Sequence, residues 1–145
     1  MIYKDALGRY RRTDWAGLTV YCLLLDGAGS TYSPVVTHQF VDDLTPASNE
    51  LACTGYARQL VSLSAPTWDG TGDAWQYLAG SVTFAALGTG ADQAGDVVFY
   101  EQVGVSPDDS ADLLIAHVAK AAVTLDGSDF VVTVGSGGVF TVSEG

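Results

Sequence analysis

Short apolar runs alternate along this chain with clusters of glycine, aspartate, proline and serine. Residues 18–25, 82–86, 97–100, 113–118, 130–134 and 139–142 are rich in β-branched and aromatic side chains. Each run is short enough to be a strand. The first is almost wholly apolar until Asp26, which predicts a strand covered on both faces. Its short span and the glycines that follow argue against a buried helix.

Between these runs the pattern changes. Residues 37–44 lack period-two alternation. Thr37 can cap, and Phe40, Val41 and Leu44 share one side of a single helical turn, which Pro46 should end. From 50 to 64 a β pattern returns, with Tyr56, Arg58 and Leu60 on one face and Ala57, Gln59 and Val61 on the other. Residues 66–73 and 88–95 read as loops, while 126–129 and 135–138 read as hairpin connections because glycine permits the positive φ of tight turns. About seven or eight strands with no repeated helical pattern between them predict an all-β fold. The expected architecture is an antiparallel β-sandwich or a jelly-roll-like barrel. Residues 1–15 form a polar N-terminal arm or short helix ahead of a single domain over 16–145.

Length supports one domain with a core that needs no covalent staples, since the chain has 145 residues of which 48% are hydrophobic. Charge is unevenly spread. The net charge is −11, yet residues 1–12 carry +3 from Lys4, Arg9, Arg11 and Arg12 against Asp5, leaving −14 on the rest. An acidic body repels polyphosphate, so nucleic acid is not an expected partner. The basic arm can touch an acidic surface, or it can be a solvated terminus. No signal peptide or membrane-spanning run is visible, and the first long apolar stretch is too short to cross a bilayer. Cys22 and Cys53 show no CxxC spacing and read as small core residues.

Reactive chemistry is sparse. His117 lies within an apolar run, and His38 with Asp42 and Asp43 reads better as a turn than as a metal cluster. GxSxG and phosphate-binding glycine loops are absent. The pairs Asp69 and Asp73, Asp92 and Asp96, and Asp126 and Asp129, with Asp108, Asp109 and Asp112, invite a calcium reading; none matches an EF-hand loop, and aspartate is also an ordinary turn residue. Neither catalytic residues nor a cofactor or metal are expected. Trp15, Trp68 and Trp75, with Tyr56 and Tyr77, could stack on a sugar or bury against a protein. The candidate interface is therefore Lys4, Arg9, Arg11, Arg12, Trp15, Trp68 and Trp75.

The string Thr37-His-Gln-Phe-Val-Asp-Asp-Leu44, after an apolar strand ending in Leu25-Asp26, resembles the THxFLxDI segment of small tailed-bacteriophage virion proteins. Asp14-Trp15 before the first strand is similar too. The likeness continues through Gly55-Tyr-Ala-Arg-Gln-Leu60, Gly80-Ser-Val-Thr-Phe-Ala-Ala86, Val97-Val-Phe-Tyr100, Leu113-Leu-Ile-Ala-His-Val118 and Gly127-Ser-Asp-Phe-Val-Val-Thr-Val134. The order of the set, more than any one motif, carries the resemblance. It departs in the aromatic stretch 68–77 and the loop 107–110.

The resemblance implies a non-enzymatic structural component of a phage particle. The leading expectation is a capsid decoration or cement protein. It would be made in the host cytoplasm and bound to the major capsid protein on the outer shell as a homo-oligomer, a trimer or dimer, with no nucleic acid or membrane partner. A tail or head–tail connector component and a carbohydrate-binding β-sandwich module are the alternatives.

Overall fold

A computed structural model describes residues 1–3, 14–136 and 138–143. The fold is all-β with antiparallel sheets. Ten strands form among the described residues: β1 (Val20–Asp26), β2 (Gln59–Val61), β3 (Thr67–Asp69), β4 (Ala74–Tyr77), β5 (Val82–Phe84), β6 (Gln93–Glu101), β7 (Leu113–Val118), β8 (Val123–Thr124), β9 (Phe130–Val132) and β10 (Phe140–Ser143). Several are only two to four residues long, which is why they exceed the seven or eight expected.

The main sheet runs β2-β1-β6-β7, with β8 also paired to β6; β10-β4-β3 and β5-β9 form two smaller sheets. β1 meets β6 through Val20↔Glu101 to Asp26↔Ala94, and β6 meets β7 through Val97↔Val118 to Glu101↔Leu113. Gly27 and Gly95 touch where β1 ends: a Cβ on Gly95 would lie 2.9 Å from Gly27 Cα.

Alternation along β1 and β6 sends side chains into two cores, as the apolar run of β1 predicts. Cys22, Leu24, Val97 and Phe99 pack with Trp15, Tyr77, Val82, Phe84 and Val132, so the main sheet covers the smaller ones in a sandwich. On its opposite face Leu23, Leu25, Val98, Tyr100 and Leu114 pack with Tyr3, Val41 and Leu44. Among the described residues no strand covers that second face. The expected helical turn does so instead, as a 3₁₀ turn Val41–Leu44.

The helical turn ends at Leu44, before Pro46 as expected, and Pro46 itself opens a separate single α-turn, α1 (Pro46–Asn49), at a position where its missing N–H costs nothing. Other local readings need correction. Residues 51–58 are irregular, and only β2 forms in the stretch read as β. Within 66–73, β3 forms and pairs with β4, so Trp68 lies in a strand; likewise the loop read over 88–95 gives way to β6 from Gln93. The turns at 126–129 and 135–138 are not hairpins: β8 pairs with β6, β9 with β5 and β10 with β4, so each turn carries the chain between sheets.

The division at residue 15 does not follow the packing. Ile2 bridges Ala116, Tyr3 N donates to Ile115 O, and Tyr3 and Trp15 are fully buried. Residues 4–13 of the expected arm or helix lie outside the described residues.

Because β1 is buried on both faces, Leu24→Ala should lower the unfolding free energy by about 2–5 kcal/mol, whereas Leu60→Ala on exposed β2 should change it by no more than about 0.5 kcal/mol. Urea unfolding of the two variants against the parent checks this contrast.

Candidate functional site

A wide cleft forms where the chain leaves the edge of β1 and returns to it. Leu25 bridges Glu50 and Leu51 N donates to Leu24 O; residues 52–58 then swing outward before β2 pairs with Val20–Cys22. The resulting cleft is about 1020 Å³, and its walls include Glu50, Cys53, Tyr56, Arg58, Asp92 and Asp109. Tyr56 fills the gap in the ladder, its hydroxyl accepting Leu24 N–H at 3.2 Å and donating to Glu50 Oε1 at 2.6 Å.

Arg58 joins this chain of bonds to a second carboxylate. Its Nε and Nη2 donate to Glu50 at 2.8 and 2.6 Å, and Nη1 and Nη2 donate to Asp109 at 2.5 and 3.0 Å. Beneath the guanidinium lies the Tyr100 ring, its centroid 5.3 Å from Cζ. Two bidentate pairs consume most of the donors of one Arg. Burial would lower its pKa, but the hydrogen bonds to Glu50, Asp109 and Tyr100 outweigh that and hold it above the usual arginine value. Burial, then the Glu50 charge, pushes the Tyr56 hydroxyl well above the normal tyrosine range. The cluster ties three distant stretches together, because Asp109 O also accepts Asp42 N–H from the 3₁₀ turn. Its groups satisfy one another.

The interface residues expected from sequence do not form one patch. Lys4, Arg9, Arg11 and Arg12 lie outside the described residues. Trp15 is not a surface residue: it is fully buried, its Nε1 donates to Leu78 O at 2.9 Å, and its ring meets Tyr77 edge-on. Trp68 and Trp75 are cross-strand partners on the β3–β4 hairpin, with ring centroids 5.5 Å apart and tilted by 58°. Trp68 is 41% exposed, whereas Trp75 packs partly on the main core. Such a tilted pair offers one indole face to a partner, not a flat two-ring platform.

The aspartates read as calcium candidates mostly close turns or tie neighbouring segments together. Asp69 accepts Thr71 N, Asp92 accepts Thr89 N, Asp108 and Asp126 each accept a serine two residues on, and Asp129 accepts Ala86 N. His117 is buried and hydrogen bonds through Nε2 to Asp96 Oδ2 at 2.9 Å; His38 Nδ1 bonds the Tyr32 hydroxyl. Among the described residues no group of three or more His, Cys, Asp or Glu is placed to hold a metal ion, and no helix is long and apolar enough to cross a membrane. Sequence reasoning placed Arg58 on a strand and missed its role. The available signal was its isolation, since it is the only Lys or Arg between Arg12 and Lys120.

No family model, curated protein or solved structure matches the chain.

Arg58→Ala leaves Glu50 and Asp109 facing each other without a cation. It should cost about 3 kcal/mol, the low end for breaking a buried pair, because Asp109 keeps some contact with water. Arg58→Lys should recover only part of the loss, since an ammonium cannot make both bidentate pairs; chemical denaturation of both variants measures this. The titration signs also give a test. Burial pushes the Cys22 thiol from 9.0 up to about 12 and holds the Tyr3 and Tyr56 hydroxyls protonated above their usual 10.0. In each case the unfolded state ionises first, so this stability is fully present below pH 9 and is lost as pH rises from there through 12. Melting temperature should fall across that window, and phenolate absorbance of the buried tyrosines should appear only with unfolding.

Proposed function

We propose that this chain is a non-enzymatic structural protein of a tailed-bacteriophage particle, a decoration or cement protein on the outer face of the capsid. The observation that carries the reading is the ordered set of segments resembling small phage virion proteins. In the structure the same segments contribute to β1, β2, β5, β6, β7 and β9 and to the 3₁₀ turn that covers the second core. The likeness therefore falls on the framework of the fold and not on scattered loops. Arg58, Glu50 and Asp109 support a structural role in the same way, because they spend their charges on cross-linking the cleft wall.

A decoration protein needs a rigid body that recognises an assembled lattice, and many weak contacts repeated over a shell sum to firm attachment. A sandwich with two cores supplies the rigidity. The major capsid protein is the proposed partner, and the cationic residues Lys4, Arg9, Arg11 and Arg12 are the natural complement to an acidic shell surface. Testing them by deleting residues 1–12 would remove the buried Tyr3 along with the charges. Charge reversal is the cleaner variant.

The quadruple change of Lys4, Arg9, Arg11 and Arg12 to Glu should leave thermal unfolding close to the parent and weaken co-sedimentation with undecorated shells of the source phage, more so at low salt. Gold-labelled antibody on intact particles should lie over the head lattice. A single ring of label at the neck, or label on the tail, would replace decoration with the connector or tail reading. Shells that never bind the parent protein would sink the capsid assignment, and glycan-dependent quenching of Trp68 would then favour the carbohydrate-binding module.

A further inference from the structure

The β6–β7 hairpin carries an apolar feature at each end. At one end the connection turns through Val103, Gly104 and Val105, with Val103 more than half exposed and Val105 wholly in water. This tip is held from inside the fold. The fully buried carboxylate of Asp112 accepts the Val103 and Asp108 N–H groups, each at 3.1 Å, and Gln102 Nε2 donates to Gly104 O at 3.1 Å. A loop ordered in advance loses little conformational entropy when it meets a partner.

At the other end lies an opening of about 200 Å³ between β6–β7 and residues 132–135 and 138–139. Its apolar wall is Val97, Phe99, Val118, Val132, Val134 and Val139, with Lys120 also at the opening. A liquid water occupies only ~30 Å³, so the space admits aliphatic side chains. Val97↔Val118 marks the opening and Glu101↔Leu113 the start of the tip. Four residues of strand separate them by roughly 13 Å, and the tip points onward from there. One copy cannot fill its own opening.

We propose that the 103–105 tip of one copy seats in this opening on a second copy, making a head-to-tail contact. Charge favours the match. The tip itself is uncharged and is followed by exposed Asp108, while Lys120 makes no ion pair among the described residues. A seated tip brings Asp108 toward Lys120. Because the two surfaces differ, the contact leaves a free tip and a free opening, and it must close into a ring or run on. This inference rests on the homo-oligomer that the resemblance implies and not on shell binding.

Sedimentation velocity of the full chain over a concentration series tests it. The parent should self-associate. Val105→Asp should weaken association about tenfold or more with unchanged thermal unfolding, because the residue contacts only solvent in one copy. Val118→Lys should do the same from the opening side; if it unfolds the chain, Lys120→Glu takes its place. Mixing Val105→Asp, which keeps an intact opening, with the opening-side variant, which keeps an intact tip, should give a one-to-one dimer and nothing longer. A parent that stays monomeric throughout, a Val105→Asp variant that assembles like the parent, or a mixture that stays monomeric would each overturn the contact. Shell binding by a monomeric parent would remove this contact and leave the decoration reading standing. Self-association that obeys the substitutions without shell binding would do the reverse.

Discussion

Burial of β1 and β6 on both faces is the constraint on which the rest of the structure depends. A sheet covered on one side can leave polar side chains in water on the other, but here Leu23, Leu25, Val98 and Tyr100 demand a second cover. The chain supplies it with pieces that are not strands: the 3₁₀ turn with Val41 and Leu44, and Tyr3 from the N-terminal residues beside β7. Those pieces bring polar groups with them, and the groups are paired. The Tyr3 hydroxyl bonds the Tyr32 hydroxyl, which in turn bonds His38, while Asp43 Oδ2 accepts the N–H groups of Gln39 and Phe40. Irregular backbone over a core is tolerable only when its donors and acceptors are met.

The Arg58 cluster follows from the same constraint at the sheet edge. β1 is longer than β2, so its upper half would present unpaired backbone groups. Leu51 takes one of them and the Tyr56 hydroxyl takes another. Holding Tyr56 in place brings Glu50 inward, and a carboxylate moved out of water needs a cation with matching geometry. Arg58 fits because its planar fork serves two carboxylates at once while its face rests on Tyr100. The ion cluster thus completes a strand edge, and the cleft beside it is the space left by the outward swing of residues 52–58.

Some of this was legible in the sequence and some was not, for reasons that differ by element. The two-sided burial of β1 follows from its composition alone, and so does the helical turn over Val41 and Leu44, since local periodicity reports which faces are apolar. The hairpins expected at 126–129 and 135–138 failed because glycine and aspartate reveal that the chain turns but not which strand it meets next. The β reading of 50–64 failed ahead of β2 because Tyr56 and Arg58 are held by Glu50 and Asp109 and not by a pleat. Trp15 reads from the sequence, with Trp68 and Trp75, as a large aromatic that could meet a partner. It is in the core because Leu78 O satisfies its N–H, a partner 63 residues away that no local pattern reveals.

Charge limits how such a body can assemble. Residues 13–145 carry −14 with only Arg58 and Lys120 as cations, and Arg58 is spent inside the fold. Two copies that approach at random bring acidic surfaces together, at a cost that salt only partly screens. Contacts between copies are therefore restricted to surfaces poor in charge or to those where Lys120 or the cations of residues 1–12 meet an acid. The uncharged Val103-Gly104-Val105 tip and the valine-lined opening beside Lys120 satisfy both conditions, whereas the Asp-rich turns do not. In a strongly acidic protein the few apolar and basic surfaces thus set the geometry of association, and the acidic remainder keeps every other approach unfavourable.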